Sequence, residues 1–549
     1  MKNNKLNKLF PLVPQNSFKE AIGSVYDALN IEKQPRINGW HDADKFPHLV
    51  KEYSKIPQNI PNDPEKISKK IASDFFKGAV NWRSPFLQYN VGAPTNVFAS
   101  AAYAVAMDVN VYNINDGLSG NLLASERTVV EIMAELAGVK PDDAAGLFTF
   151  GGTATNLYAL KLGLSKAIPA SRSEGLFGEK VKIFISEDAH FSHMRGADWL
   201  GIGTSNVEVI KADVTSRESQ LSDLKKKVES AIKKGCVVPT IIINGGTTYS
   251  QTIDDISAFV NFRDELVKKH KLSYKPHIHV DSVIGWSWLV FKGYDFEKNE
   301  LGIKNKILIK LKKQYERISQ INMADSWGID FHKGVGSCPI DSSLFMVNSV
   351  NDIKYLSRKL DPKVKIHQLA GEFSILPPVE YTLETSRSGG ASLSALVMLH
   401  TEGLNGIRLH LASLVENVSL LEEKLEQIPG FKVANAPSNG FVAMVRVYPP
   451  QIKKDFFETE LSDKSDQTAN KIKKINDYVK AFFTYDLKTR MSKNNSFEYS
   501  FSSEYLQTVS NANLSALKFY PTSPHFDRST VDLIVHEIGE QKQAFDKLK

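Results

Sequence analysis

The sequence predicts an α/β protein whose core is a mainly parallel sheet with helices on both faces. Three observations lead there. Apolar, β-rich runs recur through the middle of the chain: "VKIFIS" (181–186), "VEVIKA" (207–212), "VVPTIIIN" (237–244) and "HIHVDSV" (277–283). Helical stretches separate them, among them "SQLSDLKKKVESAIKKG" and "IDDISAFVNFRDELVKKHK". The chain is 549 residues long with 42% apolar and 24% charged residues, enough for a large core and more than one structural unit. Strand–helix–strand alternation makes crossovers, which give parallel pairing with both sheet faces covered. In such a sheet, ligands bind at the carboxyl ends of the strands.

Along the chain, residues 1–85 read as a helical N-terminal arm and dimerisation segment, with "NSFKEAIGSVYDALN" at helical spacing. Residues 86–404 are the large α/β domain. Within it, lysine-rich 296–319 reads as a surface helix or insertion. Residues 405–549 form a small C-terminal α+β unit. It contains a long helix through "LASLVENVSLLEEKLEQIPG", the strand "GFVAMVRVYP", a charged stretch and the helix "STVDLIVHEIGEQKQAFDKL".

Composition narrows the function classes. A net charge of +6, spread over 68 basic and 62 acidic residues, gives no electrostatic argument for nucleic acid or a membrane surface. The longest apolar run, "VIGWSWLVF", is about half the ~18 residues of a spanning helix. Two isolated cysteines, Cys236 and Cys338, make no disulfide framework and no thiolate zinc site. A cytoplasmic protein is expected.

Six stretches carry chemistry. In "FTFGGTATNLYALKLGLSKA", Gly151, Gly152 and Thr153 precede a helix, where backbone N–H groups favour a phosphate; an ordinary cap by Thr153 is the plainer reading. In "SEDAHFSHMRGADWLGIG", His190 lies beyond a strand end, placed to stack on a flat ring or move protons, unless it and His193 are only surface or capping residues. "NGGTTYSQTIDD" is a small-residue turn after a strand, with Thr248 in it. In "HIHVDSVIGW", strand periodicity puts His277, His279 and Asp281 on one face. They could bind a divalent metal, Asp281 could pair with a cationic ring nitrogen, or all could be satisfied core groups. In "DFHKG", His332 and Lys333 precede a glycine turn, and a buried lysine there is a candidate amine nucleophile rather than a solvated one. In "EYTLETSRSGGASLSALVMLHTEG", Arg387 sits before an apolar helix as a fork for a carboxylate, or as a surface ion pair.

In that order, the set resembles the pyridoxal-phosphate-dependent group II amino-acid decarboxylases, to which the sphingosine-phosphate lyases are related. The resemblance runs from about residue 85 to 415 and is strongest at "FTFGGTATN", "EDAHFSHMRGADWLGIG", "GGTTYSQTIDDI", "HIHVD" and "DFHKG". It implies the fold-type-I, aminotransferase-like fold, a homodimer with the active site at its interface, and pyridoxal 5'-phosphate as cofactor. It implies catalytic roles for Lys333, as the Schiff-base amine, for His190, stacked on the cofactor ring, and for Asp281, paired with the pyridine nitrogen. Gly152, Thr153 and His332 would hold the phosphate, Thr248 would sit near the ring hydroxyl or the substrate, and Arg387 would bind a substrate carboxylate. The implied reaction is decarboxylation of an L-amino acid to amine and carbon dioxide, with glutamate or aspartate favoured. The alternative is a carbon–carbon lyase of the sphingosine-phosphate-lyase type.

Two departures stand out. The interval from Asp281 to Lys333 is longer than the family's, and 296–319 accounts for the excess. Many members carry a loop tyrosine after the lysine that protonates the α-carbon. Here the corresponding region, "LDPKVKIHQLAGEFSILPPVEYTLETSRSGG", has no tyrosine before Tyr381; Phe373 falls at the loop position, and His367 is a substitute acid.

Overall fold

The computed structural model describes residues 9–11, 15–31, 33–37, 46–357, 377–436, 438–492 and 497–548. Strand β1 (Leu87–Gln88) pairs with a strand near the other end of the chain. The next seven strands are β2 (Ala145–Thr149), β3 (Ile183–Ser186), β4 (Val207–Ile210), β5 (Thr240–Asn244), β6 (His277–Asp281), β7 (Ser326–Asp330) and β8 (Ser343–Val347). They form one sheet in the order β2-β8-β7-β6-β5-β3-β4. Strand β8 runs antiparallel to both neighbours, and every other pairing in the sheet is parallel. The expected mainly parallel sheet is therefore present.

The central strands are near-continuous apolar runs because helices cover both faces. All five residues of β5 are buried, as are all five of β7. The helix Gly152–Ala167 lies across β6, β7 and β8 and buries its Ala154, Ala159, Leu160 and Leu162. The apolar run considered as a membrane candidate is a short helical turn, Gly285–Phe291, with every residue buried. No described helix is long and apolar enough to cross a membrane. Lysine-rich 296–319 contains the helix Asn305–Ile318, and it is more than surface decoration: Ile307, Leu308, Leu311 and Ile318 pack into the main core.

The second sheet holds β9 (Phe431–Val433), β10 (Ala443–Val447), β11 (Glu498–Gln507) and β12 (Asn513–Phe519), in the order β1-β11-β12-β10-β9. Its antiparallel pairs are covered by the helix Asp466–Ser492, against which the helix Arg528–Asp546 packs, an α+β arrangement. The charged stretch after 450 is largely the helix Asp466–Ser492, which buries Ile472, Ile475, Val479 and Phe482. The helix Gly390–Leu425 joins the two sheets and is broken at Gly403 (φ 61°, ψ 166°). Residues 87–93 stitch the sheets together. Leu87 and Gln88 pair with β11, while Gly92 bridges Lys333.

Candidate active site

Five strands of the large sheet deliver side chains to one cavity of about 260 Å3 at their carboxyl ends. After β2 come Gly151, Gly152, Thr153 and Asn156; after β3, Asp188 and His190; after β5, Gly246, Thr247 and Thr248; β6 ends in Asp281; β7 ends in Asp330, followed by His332 and Lys333. Gly152, Thr153, His190, Thr248, Asp281, His332 and Lys333 are thus brought together as the sequence suggested. Asn156, Asp188, Asp330 and Thr247 were not singled out. Asp330 had a visible signal, since it stands three residues before Lys333 at the end of an apolar run.

Lys333 Nζ lies 2.7 Å from Asp330 Oδ2, and Asp330 is fully buried. The Ser343 hydroxyl donates to Asp330 Oδ1 at 2.6 Å. Burial alone would lower the lysine pKa; the Asp330 charge and hydrogen bond, with Asp281 further off, outweigh it and raise the pKa. Lys333 is therefore held as an ammonium. Gly152 faces this pair: a Cβ there would come 2.7 Å from Asp330 Oδ2 and 3.0 Å from Val283, so only glycine lets the helix start so close. The turn after the lysine is pinned from outside. Gly334, at φ 63°, donates its N–H to Val91 O at 2.8 Å, and Ala93 N donates to His332 O at 3.2 Å.

Asp281 Oδ2 is held by His193 Nε2 and by the Asn156 amide, each at 3.1 Å. Burial pushes its pKa up, but the His193 hydrogen bond and the surrounding imidazoles win and hold it well below the ordinary carboxylate range. Its other oxygen, Oδ1, is buried and has no hydrogen-bond partner. A buried, anionic, unpartnered oxygen in a cavity is a site for a cationic N–H from a ligand. His190 takes a hydrogen bond from the Ser192 hydroxyl (2.8 Å) at Nδ1, and burial lowers its pKa, so the ring is neutral. Burial likewise lowers the pKa of His332.

One sequence reading is corrected and one of the open alternatives is set aside. Arg387 is not in the cavity. Its guanidinium is buried and donates to Glu126 Oε1 (2.8 Å), Phe148 O (2.7 Å) and Asn113 O (3.0 Å). Both of its terminal nitrogens are committed to these partners, away from the cavity lining. Nor do His277, His279 and Asp281 form a metal triad: the two imidazoles share Ser326 Oγ, at 2.6 and 2.8 Å, and Asp281 faces His193. Among the described residues, the group close enough for a metal is instead His277, Asp325 and Asp352. There Arg263 already neutralises Asp325 and Lys166 neutralises Asp352. Phe373 and His367 lie outside the described residues, and Tyr381 does not line the cavity.

One cation was missed. Lys518, on β12, is buried, lies 3.1 Å from Asn90 Oδ1 and sits over the Tyr249 ring at 5.6 Å. Burial pushes its pKa down to about 8. Tyr249 follows the cavity residue Thr248, and Asn90 is two residues from Gly92, which bridges Lys333. No carboxylate pairs with it among the described residues.

Comparison with known proteins agrees with this geometry. The pyridoxal-dependent decarboxylase conserved domain matches residues 47–302. The chain is 27% identical to the acidic amino acid decarboxylase GADL1 of Xenopus tropicalis over 296 residues, 52% of this chain and 54% of that protein. It is 30% identical to the cysteine sulfinic acid decarboxylase of Rattus norvegicus over 166 residues, 30% of this chain and 31% of that protein. The chain spans about half the length, or less, of the curated relatives it matches. Its fold is that of mouse CSAD in apo form (TM-score 0.75, 17% identity, covering 97% of this chain and 100% of that one). It also matches Oryza sativa TDC with PLP and tryptamine (TM-score 0.74, 14% identity, 97% and 99% covered).

The cavity fits pyridoxal phosphate. Asp281 Oδ1 offers the unpaired acceptor that a protonated pyridine nitrogen needs. Lys333 is the cavity's amine, and the helix start at Gly152 and Thr153 presents N–H groups for a phosphate. The sheet order, the cofactor-fitting cavity and the sequence match point the same way: over residues 47–302 the chain is similar to the pyridoxal-dependent decarboxylases.

Proposed function

We propose that the protein releases the α-carboxylate of an L-amino acid as carbon dioxide, with acidic amino acids as the substrate class. One observation carries the reading: Lys333 Nζ and the unpartnered Asp281 Oδ1 face the same cavity. When bound, the cofactor supplies an electron sink for the carbanion left as carbon dioxide departs. The chain's own residues set the conditions. Asp281, kept anionic, holds a proton on the ring nitrogen. His190, neutral, gives a flat face for stacking. Asp330 holds the Lys333 proton at Nζ until the amine is needed. Lys518 is the candidate anchor for a substrate carboxylate, because it is a buried cation with no carboxylate partner among the described residues and lies over Tyr249, the residue after cavity-lining Thr248. The names of the relatives, acidic amino acid and cysteine sulfinic acid decarboxylases, support an acidic substrate.

The protein is further proposed to be a cytoplasmic homodimer. Its two cysteines are unpaired. On the helix Val97–Asp108, Val97, Phe98 and Val105 are more than half exposed, and Phe150, beside the cavity residue Gly151, is 45% exposed. A partner covering Phe150 would approach the cavity mouth at Gly151.

The test is an assay of carbon dioxide release against aldehyde release over the twenty amino acids and cysteine sulfinate. Wild type should release carbon dioxide from acidic substrates. Lys333→Ala should abolish turnover and the visible band of lysine-bound cofactor. Lys518→Met should raise KM for carboxylate substrates more than it lowers cofactor occupancy. Aldehyde without carbon dioxide would instead establish the lyase reaction.

A further inference from the structure

His277 and His279 remain without a role once metal is set aside, yet both are fully buried and hydrogen-bonded in series. The series begins at Asp281. Its Oδ2 is 3.1 Å from the Asn156 amide nitrogen, and a carboxylate accepts, so Asn156 must present its NH2 there. The Asn156 carbonyl Oδ1 then faces His279 Nε2 at 3.1 Å and can only accept, so His279 carries its proton on Nε2. His279 Nδ1 is left as a lone pair 2.8 Å from Ser326 Oγ, so Ser326 spends its single proton there. Ser326 Oγ must then accept from His277 Nε2 at 2.6 Å. Every donor in the series points toward Asp281.

The second N–H of the same amide runs the other way round the site. Asn156 Nδ2 is 3.0 Å from Ser192 Oγ, and the Ser192 hydroxyl lies 2.8 Å from His190 Nδ1. The Ser192 backbone N–H also reaches His190 Nδ1, at 3.3 Å. Two donors on Nδ1 fix His190 with its proton on Nε2. One buried amide, 2% exposed, thus orients the carboxylate and, through Ser192, the stacking imidazole.

We propose that Asn156 is the positioning hub of the site, and that Ser326, His279 and His277 are positioning residues that lock its amide so that Asp281 keeps Oδ1 bare toward the cavity. Reversal of the amide would set Asn156 Oδ1 against the carboxylate and break the bonds to Ser192 and His279. The neutrality this requires is supported independently: burial holds His279 down to about 3 and His277 well below its ordinary value.

This inference uses the proposed cofactor chemistry for only one of its two readouts. The first is independent of any activity: 15N spectra of histidine-labelled apoprotein at pH 7, assigned with single His→Gln variants. His279 and His190 should be neutral with the proton on Nε2. A His279 proton on Nδ1, or an imidazolium, overturns the proposal. In Ser326→Ala, which removes the hydroxyl that His277 Nε2 donates to, His277 should become a mixture of tautomers while His279 keeps its proton on Nε2; an unchanged His277 spectrum overturns the proposal. The second readout is the dissociation constant of pyridoxal phosphate. A hydrogen bond to a charged group is lost in Asn156→Ala, so that constant should rise about 10- to 100-fold with the far-ultraviolet spectrum retained. A rise under about threefold also overturns it. Should Asn156→Ala fail to fold, the wild-type and Ser326→Ala spectra still decide.

Discussion

At the scale of single residues, the Asp330–Lys333 pair sets how readily the lysine reacts. Asp330 holds Nζ at 2.7 Å and raises the lysine pKa against the effect of burial. The Asp330→Asn variant should therefore free the amine at lower pH, since only the neutral form attacks an aldehyde. The rate of pyridoxal phosphate capture by apoprotein at pH 7 should rise about tenfold, and its pH profile should move to lower pH. Stopped-flow absorbance over pH 6 to 10 checks this, and an unmoved profile would show that Asp330 does not govern the proton. Much of the site was legible as residue types in loops after strands: Lys333, Asp281, His190, Thr248 and the GGT turn all reach the cavity. Asn156 was not legible. An asparagine one turn into a helix carries no sign of the three side chains, 36 to 125 residues away, that it meets.

At the scale of elements, Arg387 ties three of them together: the helix bearing Glu126, the end of β2 at Phe148, and the loop at Asn113. Sequence placed it before a helix, but its partner, Glu126, stands 261 residues earlier, and no local pattern reports such a pairing. Removing one partner leaves the other charge buried. Arg387→Met should cost about 3–5 kcal/mol of stability in denaturant titration, with KM values for different substrates moving together rather than selectively. A second element-level prediction concerns His410, on the helix Gly390–Leu425, where burial pushes the pKa down to about 4. An unfolded histidine takes a proton near pH 6.5, whereas the folded one does not until near 4. Stability is thus lost as pH falls through that window. Wild type should lose about 2 kcal/mol relative to His410→Gln between pH 7 and pH 5, read from urea midpoints at both pH values. The parallel strands were legible because each is a continuous apolar run ended by polar or small residues. The antiparallel direction of β8 was not, since "SSLFMVN" is as apolar as its parallel neighbours and direction is set by the connection 331–342, which holds no crossover helix.

At the scale of the whole molecule, exposed Val97, Phe98 and Val105 on one helix predict self-association. Phe98→Glu should convert a dimer to a monomer in sedimentation velocity and reduce cofactor retention; a wild type that sediments as a monomer at micromolar concentration would refute the dimer. The two-sheet plan followed from the change in sequence texture past residue 400, but the stitching of residues 87–93 across both sheets did not, because two-residue strands leave no periodicity. That stitch has a consequence for biosynthesis. The turn bearing Lys333 is braced by Val91, Gly92 and Ala93, whose neighbours Leu87 and Gln88 are seated on β11, with Tyr520 N donating to Gln88 O. Those seats, on β11 and at Tyr520, are made after every residue of the cavity. A nascent chain that has already made every cavity residue still lacks the clamp on its lysine, so tight cofactor capture waits until β11 and Tyr520 have been made.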